Sequence, residues 1–270
     1  MHLGETLQTL RKKSSLTQKK LADMLGVSFQ TVSKWERNLS YPDVATLPRL
    51  ADILGVSMDT LFNHVPGELT STYFYRSYQT EEYYWGTEPT PFCYRILENR
   101  PPSRPLSLLE IGCGEGRDAV FFARNGYDVT AYDIVPAGIC KTQNLAAMHR
   151  VSLQAFCADM QTFQPKQDYD IIYASRSLQY ISLQQREEFF NRYKQHTVSG
   201  GLNAFMVIVD KPGVPAPPDE EDCVFLMRSG EIFTYYHDWN FLVFEEKIID
   251  CMSSGVPHKH CVNLMLAVKP

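Results

Sequence analysis

The segment Leu109-Glu110-Ile111-Gly112-Cys113-Gly114-Glu115-Gly116-Arg117-Asp118 restricts the fold of this 270-residue chain more than any other. An apolar run ends in three alternating glycines, and a helix-forming stretch over 117–125 follows. Glycine enters positive φ without steric cost, so the turn is tight and its N–H groups are open to close approach by a ligand. Asp133 ends the next apolar run, Val129-Thr130-Ala131-Tyr132, 17 residues after Gly116. A carboxylate there accepts hydrogen bonds from both hydroxyls of a ribose. A glycine-rich turn alone is weak evidence; strand, turn, helix, second strand and terminal acid in this order make a nucleotide site. The glycines run G-x-G-x-G rather than the G-x-G-x-x-G of dinucleotide sites, and Glu110 precedes them.

From Leu106 onward, strand and helix patterns alternate. Strands are expected at 108–111, 129–132, 152–157, 171–174, 202–209, about 241–250 and 261–268, with helices at 117–125 and 136–148. Ile171-Ile172-Tyr173-Ala174 is apolar throughout, as in a parallel sheet covered on both faces. Ser182 and Gln185 form a capping-box pattern ahead of a helix carrying Phe189, Phe190 and Tyr193. The alternation predicts a doubly wound α/β domain over 106–270. Residues 65–105 crowd Tyr73, Phe74, Tyr75, Tyr78, Tyr83, Tyr84 and Trp85 ahead of Pro101-Pro102-Ser103-Arg104-Pro105, which reads as a linker leading into a helical lid.

Residues 1–64 read as short helices. Leu3, Leu7 and Leu10 recur at helical spacing. Thr17 and Ser28 are N-cap candidates, and Gly26 ends the helix that carries Leu21, Ala22 and Leu25. Val32 and Trp35 face inward; a further helix holds Leu47, Leu50, Ala51 and Leu54 before Gly55, and a last one begins near Ser57. This segment holds eight Lys/Arg and six Asp/Glu (+2), leaving 18 basic and 25 acidic residues (−7) in the rest of a chain of net charge −5. Any contact with nucleic acid is therefore expected in the first segment.

Hydrophobic residues make up 44% and charged residues 21% of the chain, the balance of a soluble globular protein. No run of about 18 apolar residues is present, and no basic-then-apolar leader opens the chain, so a cytoplasmic protein without a membrane partner is expected. The seven cysteines include no C-x-x-C pair and read as reduced thiols, with the loop over 211–222, rich in Pro and acid, containing none before position 223. No Cys/His set shows ligand spacing along the chain, so no metal is expected.

The stretch 109–118 resembles motif I of class I S-adenosylmethionine-dependent methyltransferases. The resemblance implies a Rossmann-like, seven-stranded methyltransferase sheet that takes S-adenosylmethionine and releases S-adenosylhomocysteine. It places Glu110, Gly112, Cys113, Gly114 and Arg117 at the cofactor's amino-acid end, with Asp133 and Ile134 at the ribose. Asp159 and Met160 match the adenine contact, and Ser175 and Arg176 match the segment beside the sulfonium and the acceptor. Gly200-Gly201 stands where the family carries Pro-Gly-Gly, with Ser199 for proline. More narrowly, Gly112–Asp118 followed by Asn125-Gly126-Tyr127-Asp128-Val129 resembles the tellurite-resistance methyltransferases. So do Trp85-Gly86-Thr87-Glu88-Pro89-Thr90-Pro91 and Ser229-Gly230-Glu231 leading to Tyr235-Tyr236 and Trp239. The likeness spans about 80–270 and implies that lid aromatics, Trp85 among them, close over the sulfonium by cation–π contact.

In those relatives an Arg and a His occupy the turn before the last strand; here it reads Pro257-His258-Lys259-His260. Arg176, His258 and His260 are the candidate catalytic residues, as oxyanion ligands or, for the histidines, a general base. Ser175-Arg176-Ser177-Leu178 stands where amino-methylating nucleic-acid enzymes carry an Asn-Pro-Pro-Tyr-type tetrad.

Leu16-Thr17-Gln18-Lys19-Lys20-Leu21-Ala22 and Gly26–Arg37 resemble the phage-repressor/Cro helix-turn-helix family. That resemblance makes 28–37 a recognition helix, with Gln18 on a phosphate and Ser28, Gln30, Thr31 and Lys34 toward bases and backbone of duplex DNA. One such module binds weakly, so a homodimer on a two-part site is expected. Three functions stay open: methyl transfer to a small acceptor of the tellurite, selenite or thiol kind; a transcriptional regulator that senses S-adenosylmethionine; and a nucleic-acid methyltransferase targeted by the module.

Overall fold

The computed structural model describes residues 3–14, 16–56, 58–62, 73–215, 225–252 and 256–270. Ser57, the linker residues 65–72, Cys223 and residues 216–222 of the Pro- and acid-rich loop lie outside them. The chain divides into two compact units, Met1–Ser71 and Thr72–Pro270.

The first unit consists of α1 (Leu3–Lys13), α2 (Gln18–Leu25), α3 (Phe29–Glu36), α4 (Thr46–Leu54) and α5 (Met58–Phe62). Its ends follow local chemistry. Thr17 accepts the Lys20 N–H, Ser28 accepts the Thr31 N–H, and Gly26 and Gly55 end α2 and α4 at φ 73° and 68°. Leu3, Leu7, Leu21, Val32, Trp35, Leu50 and Leu61 form one core. Within it stands an ion pair that periodicity does not reveal. The Arg11 guanidinium donates to both oxygens of Glu36 at 2.5 and 3.0 Å, and Gln18 Nε2 donates to Glu36 at 2.8 Å. Burial pushes the Glu36 carboxyl up, but the donors from Arg11 and Gln18 together hold it below the ordinary range.

The second unit is a single mixed sheet with helices on its faces. The strands are β1 (Ser107–Ile111), β2 (Asp128–Asp133), β3 (Gln154–Cys157), β4 (Tyr169–Ser175), β5 (Thr197–Asp210), β6 (Met227–Arg228), β7 (Asn240–Cys251) and β8 (His258–Val268). They run in the order β3-β2-β1-β4-β5-β8-β7, and β6 pairs β5 from outside that path. β1 to β5 are parallel, and β8 is antiparallel to both β5 and β7. The seven strands of the continuous path are those expected; the eighth, β6, has two residues, too few to leave a periodic signal. Alternate strand residues supply two separate cores. Leu109, Ile111, Ile172, Ala174 and Phe205 pack on one face, and Leu108, Ile171, Tyr173, Leu202 and Ala204 on the other.

The helices are α6 (Tyr73–Ser77), α7 (Pro91–Asn99), α8 (Arg117–Arg124), α9 (Pro136–Met148), α10 (Arg186–Gln195) and α11 (Glu231–Thr234). Pro91 and Pro136 stand in the first turns of α7 and α9, where a missing N–H costs nothing. Two local readings are corrected. No capping box forms ahead of α10: Ser182 Oγ bonds the Gln185 side chain at 2.7 Å, and Gln185, the N-cap, makes no side-chain cap bond. His258, Lys259 and His260 are not a turn but the first residues of β8, because the ladder with β7 extends to the pair Cys251↔His258. Among the described residues no helix is long and apolar enough to cross a membrane.

Candidate cofactor and acceptor site

The carboxyl ends of β1, β2 and β4 converge on the glycine turn. Gly112, Gly114 and Gly116 have φ of 69°, 56° and 87°, a region that favours glycine. Space excludes a side chain as well. A Cβ on Gly112 would stand 2.5 Å from Ser177 Cβ, one on Gly114 2.8 Å from Tyr78 Oη, and one on Gly116 2.5 Å from Thr142 Cγ2. Asp133 closes the turn from the end of β2. Its Oδ2 accepts the Gly114 N–H at 2.8 Å and its Oδ1 accepts the Val135 N–H at 2.9 Å. Burial pushes the Asp133 carboxyl up, and those amides oppose the shift.

Glu110, the last-but-one residue of β1, is 3% exposed, and its Oε2 has no hydrogen-bond partner among the described residues. Burial, with Asp118 nearby, raises its carboxyl well above the usual range. A buried, unpaired carboxylate oxygen costs about 1–3 kcal/mol or more, so it points to a missing donor. Cys113 is a buried free thiol, and burial pushes it well above its ordinary value, which disfavours the reactive thiolate.

The lid seats on this turn. Tyr78, 5% exposed, accepts the Trp85 indole N–H at 2.9 Å. Glu115 accepts the Trp85 backbone N–H at 3.1 Å and pairs with Lys141 at 2.6 Å. Buried Asp118, at the start of α8, accepts the Thr90 N–H at 2.7 Å and the Tyr173 hydroxyl at 2.7 Å, fixing the start of α7. The roles of Tyr78, Glu115, Asp118 and Lys141 escaped the sequence reading; the signal available was that Glu115 and Asp118 lie inside the glycine segment itself. Trp85 is the junction of lid and site. Arg117 donates to its carbonyl at 2.9 Å, and the Arg117 and Arg176 guanidinium carbons lie 5.7 and 5.4 Å from its ring centre.

Arg176 follows β4 with φ 54°, uncommon for a residue with a side chain. Its N–H is held by the Met206 carbonyl at 2.8 Å, and no hydrogen bond or ion pair engages its guanidinium among the described residues. Burial and the charge of Arg117 lower its basicity. Strain of this kind collects where function requires it. Ser175 packs its hydroxyl on Met206 Sδ at 3.9 Å. Met160 Cε lies 3.5 Å from where a Gly112 Cβ would be, while Asp159 Oδ1 accepts the Gln161 N–H at 2.9 Å and Ile134 is 40% exposed. His258 and His260 lie at the start of β8. Their Nε2 atoms are 3.0 Å from each other, and Cys251 pairs His258 across the ladder.

In the first unit, Gln30 and Lys34 project from α3 into solvent. Thr31 Oγ1 is bonded to Ser28 Oγ at 2.8 Å, and Gln18 is bonded to Glu36.

The strand order, with an antiparallel strand inserted between β5 and β7, and the glycine turn closed by an acid define the Rossmann-like fold of class I methyltransferases. The family model described as tellurite resistance protein TehB matches residues 65–255, and a helix-turn-helix model matches 7–61. The chain belongs to the TehB family. It is 30% identical over 144 residues to hemagglutinin 1 of Eikenella corrodens, covering 53% of this chain and 47% of that protein. It is 25% identical over 144 residues to a probable S-adenosyl-L-methionine-dependent methyltransferase TehB of Haemophilus influenzae, covering 53% and 49%. It thus spans about half the length of these curated relatives. The crystal structure of TehB from Haemophilus influenzae superposes with TM-score 0.59 at 23% identity, covering 73% of this chain and 66% of that one. The N-methyltransferase NodS from Bradyrhizobium japonicum, solved with S-adenosyl-L-homocysteine, superposes at 0.53 with 18% identity, covering 73% and 96%. Both likenesses concern the fold.

Proposed function

We propose that the second unit transfers a methyl group from S-adenosylmethionine to a small-molecule acceptor, and that the first unit binds duplex DNA as part of a homodimer. The observation that carries the first half is Glu110: a buried carboxyl oxygen without a partner among the described residues, beside a turn whose glycines leave room for no side chain. These residues fit the cofactor. Glu110 answers an ammonium, the bare glycine turn lets the amino-acid end approach although its Gly112, Cys113 and Gly114 N–H groups are already spent on Tyr132 and Asp133, Asp133 with Ile134 beside it takes the ribose, and Asp159 and Met160 flank the base. Cys113 and Ser175 supply small walls, and Arg117 and Trp85 close the site from the lid.

Bound there, S-adenosylmethionine supplies an electrophilic methyl group on a good leaving group. The chain's own work is then positioning, which contributes up to about 7–11 kcal/mol in the best cases. Arg176, half-buried over Trp85 and without a hydrogen bond or ion pair to its guanidinium among the described residues, orients an anionic acceptor such as tellurite, selenite or a thiolate. Trp85 and Tyr78 exclude water. With no metal bound to them, His258 and His260 are the groups to hold an oxyanion or take the proton of a neutral acceptor.

Transfer of labelled methyl to tellurite, selenite or thiol acceptors tests the reading, with S-adenosylhomocysteine binding measured alongside. Binding without transfer to any acceptor would leave a sensor; transfer that requires duplex DNA would point to nucleic acid as the acceptor.

For the first unit, the exposed Gln30 and Lys34 carry the contact. Against a duplex selected from a random pool by the wild-type chain, Lys34→Ala is expected to weaken binding evenly across sequences and lower the salt slope by about 1. Gln30→Ala is expected to cost about 1–3 kcal/mol and relax preference at one base pair. Anisotropy titrations at several salt concentrations read both effects; failure of the wild-type chain to enrich any duplex rejects the assignment.

A further inference from the structure

The β7–β8 ladder gathers three metal-ligating side chains that lie apart in sequence. Cys251 ends β7 and His258 begins β8, and the register pairs them directly; His260, two residues along β8, pairs Ile249. Successive side chains of a strand alternate in direction, and directly paired residues share a face. The register therefore puts Cys251, His258 and His260 on one face of the hairpin. Their ligand atoms, one sulfur and two ring nitrogens, all lie within 4.8 Å of one another.

The histidine geometry is that of ligands. His258 Nδ1 lies 2.8 Å from the Val256 carbonyl. A carbonyl only accepts, so Nδ1 carries the proton and Nε2 presents its lone pair, the orienting bond that metal-bound imidazoles make. That Nε2 faces His260 Nε2 at 3.0 Å, with the rings nearly perpendicular at 88° and their centres 4.7 Å apart. Zn–N bonds of about 2.0–2.1 Å and Zn–S bonds of about 2.3 Å place tetrahedral ligand atoms about 3.3–3.6 Å apart. The nitrogens are already near that separation, and the widest spacing in the cluster closes by about 1 Å, within reach of side-chain rotation. Cys251 and His260 are buried and His258 is half-buried, so one side remains open.

We propose that Cys251, His258 and His260 bind one borderline-soft divalent ion of the zinc class, with three protein ligands and an exchangeable fourth position. One thiolate and two imidazoles suit zinc, not magnesium or calcium, which take oxygen ligands. The site lies at the edge of the sheet that carries Arg176. Ser175 pairs Met206 and Met206 pairs Leu264, so His260 extends four residues, about 13 Å, past that row in the direction in which β4 ends. The ion therefore stands beyond the carboxyl end of β4, on the side of the sheet where the proposed methyl-transfer site lies. The ion's binding does not depend on that reading.

The untagged full chain, stripped with a chelator, is titrated with Co²⁺ as the spectroscopic probe and then with Zn²⁺. One equivalent of Co²⁺ is expected to give visible bands of tetrahedral intensity and a near-ultraviolet thiolate-to-cobalt charge-transfer band, both abolished by Zn²⁺. Cys251→Ser is expected to lose the charge-transfer band, and His258→Asn to weaken Co²⁺ binding by at least about tenfold. S-adenosylhomocysteine calorimetry on the same samples reports separately on the cofactor turn and on folding. A wild-type chain that binds S-adenosylhomocysteine but takes up no Co²⁺ overturns the metal site, and so does a charge-transfer band that survives Cys251→Ser. Loss of S-adenosylhomocysteine binding alone overturns the cofactor reading instead.

Discussion

Replacing Asp133 with alanine is expected to weaken S-adenosylhomocysteine binding by about 100-fold. The carboxylate stands at the end of β2, where the proposed cofactor site puts both ribose hydroxyls on it, and a hydrogen bond to a charged group contributes about 1.5–3 kcal/mol. Losing two, with water replacing part of what is lost, leaves about 3 kcal/mol, which is about 100-fold in Kd. The turn suffers as well, since the Gly114 and Val135 N–H groups both donate to this carboxylate. Asp133→Asn keeps one acceptor and is expected to fall between, near tenfold.

Within the fold, burial outweighs the backbone donors that favour a charged Asp133. Burial raises its pKa, so the ionised form is less favourable in the folded chain than in the unfolded one, and its charge at neutral pH costs stability. Calorimetry of the Asp133→Ala variant against wild type checks the expected weakening; an unchanged Kd would remove Asp133 from the cofactor site, and the turn's assignment with it.

Glu36→Ala is expected to cost the helix-turn-helix unit about 3–5 kcal/mol, the usual loss when one partner of a buried pair is removed and the other charge remains. Arg11 is 8% exposed and Glu36 5%, so neither charge is relieved by water. A unit of this size has only a few kcal/mol in hand, and the substitution should leave it largely unfolded. The pH dependence has a fixed sign. The Glu36 carboxyl lies below its ordinary value in the fold, so its contribution is complete above the unfolded carboxylate range. It is lost as pH falls through the lowered folded value. Hydrogen exchange over residues 3–56 reads the effect; protection matching that of wild type would mean the pair adds nothing to the fold. Cofactor binding by the second unit gives an independent control.

Local rules were sufficient for much of this protein. Three glycines at positive φ, the caps at Thr17 and Ser28, the left-handed ends at Gly26 and Gly55, and the alternation of apolar strands with helices each depend on a few neighbouring residues. Those neighbours are legible in sequence, so the α/β class, the glycine turn and Asp133 at its side were expected before any coordinates. The length of β8 was not, because a ladder extends as far as its partner allows, and this moved His258 and His260 from a turn into a strand.

Long-range pairing decided the remainder. Arg11 and Glu36 are 25 residues apart, and each alone reads as a solvated helical charge; only the packing of α1 against α3 buries both. Tyr78 looked like one ring of a crowded aromatic stretch until the lid seated it on Gly114. Cys251, His258 and His260 have no ligand spacing along the chain; the antiparallel register brings them together, because a one-residue slip would turn Cys251 to the opposite face. The sequence by itself determined which elements form and where the nucleotide turn lies, since those are properties of neighbours. Tertiary structure determined which charges are buried and which side chains meet, since those depend on strand register and packing between residues far apart in the chain.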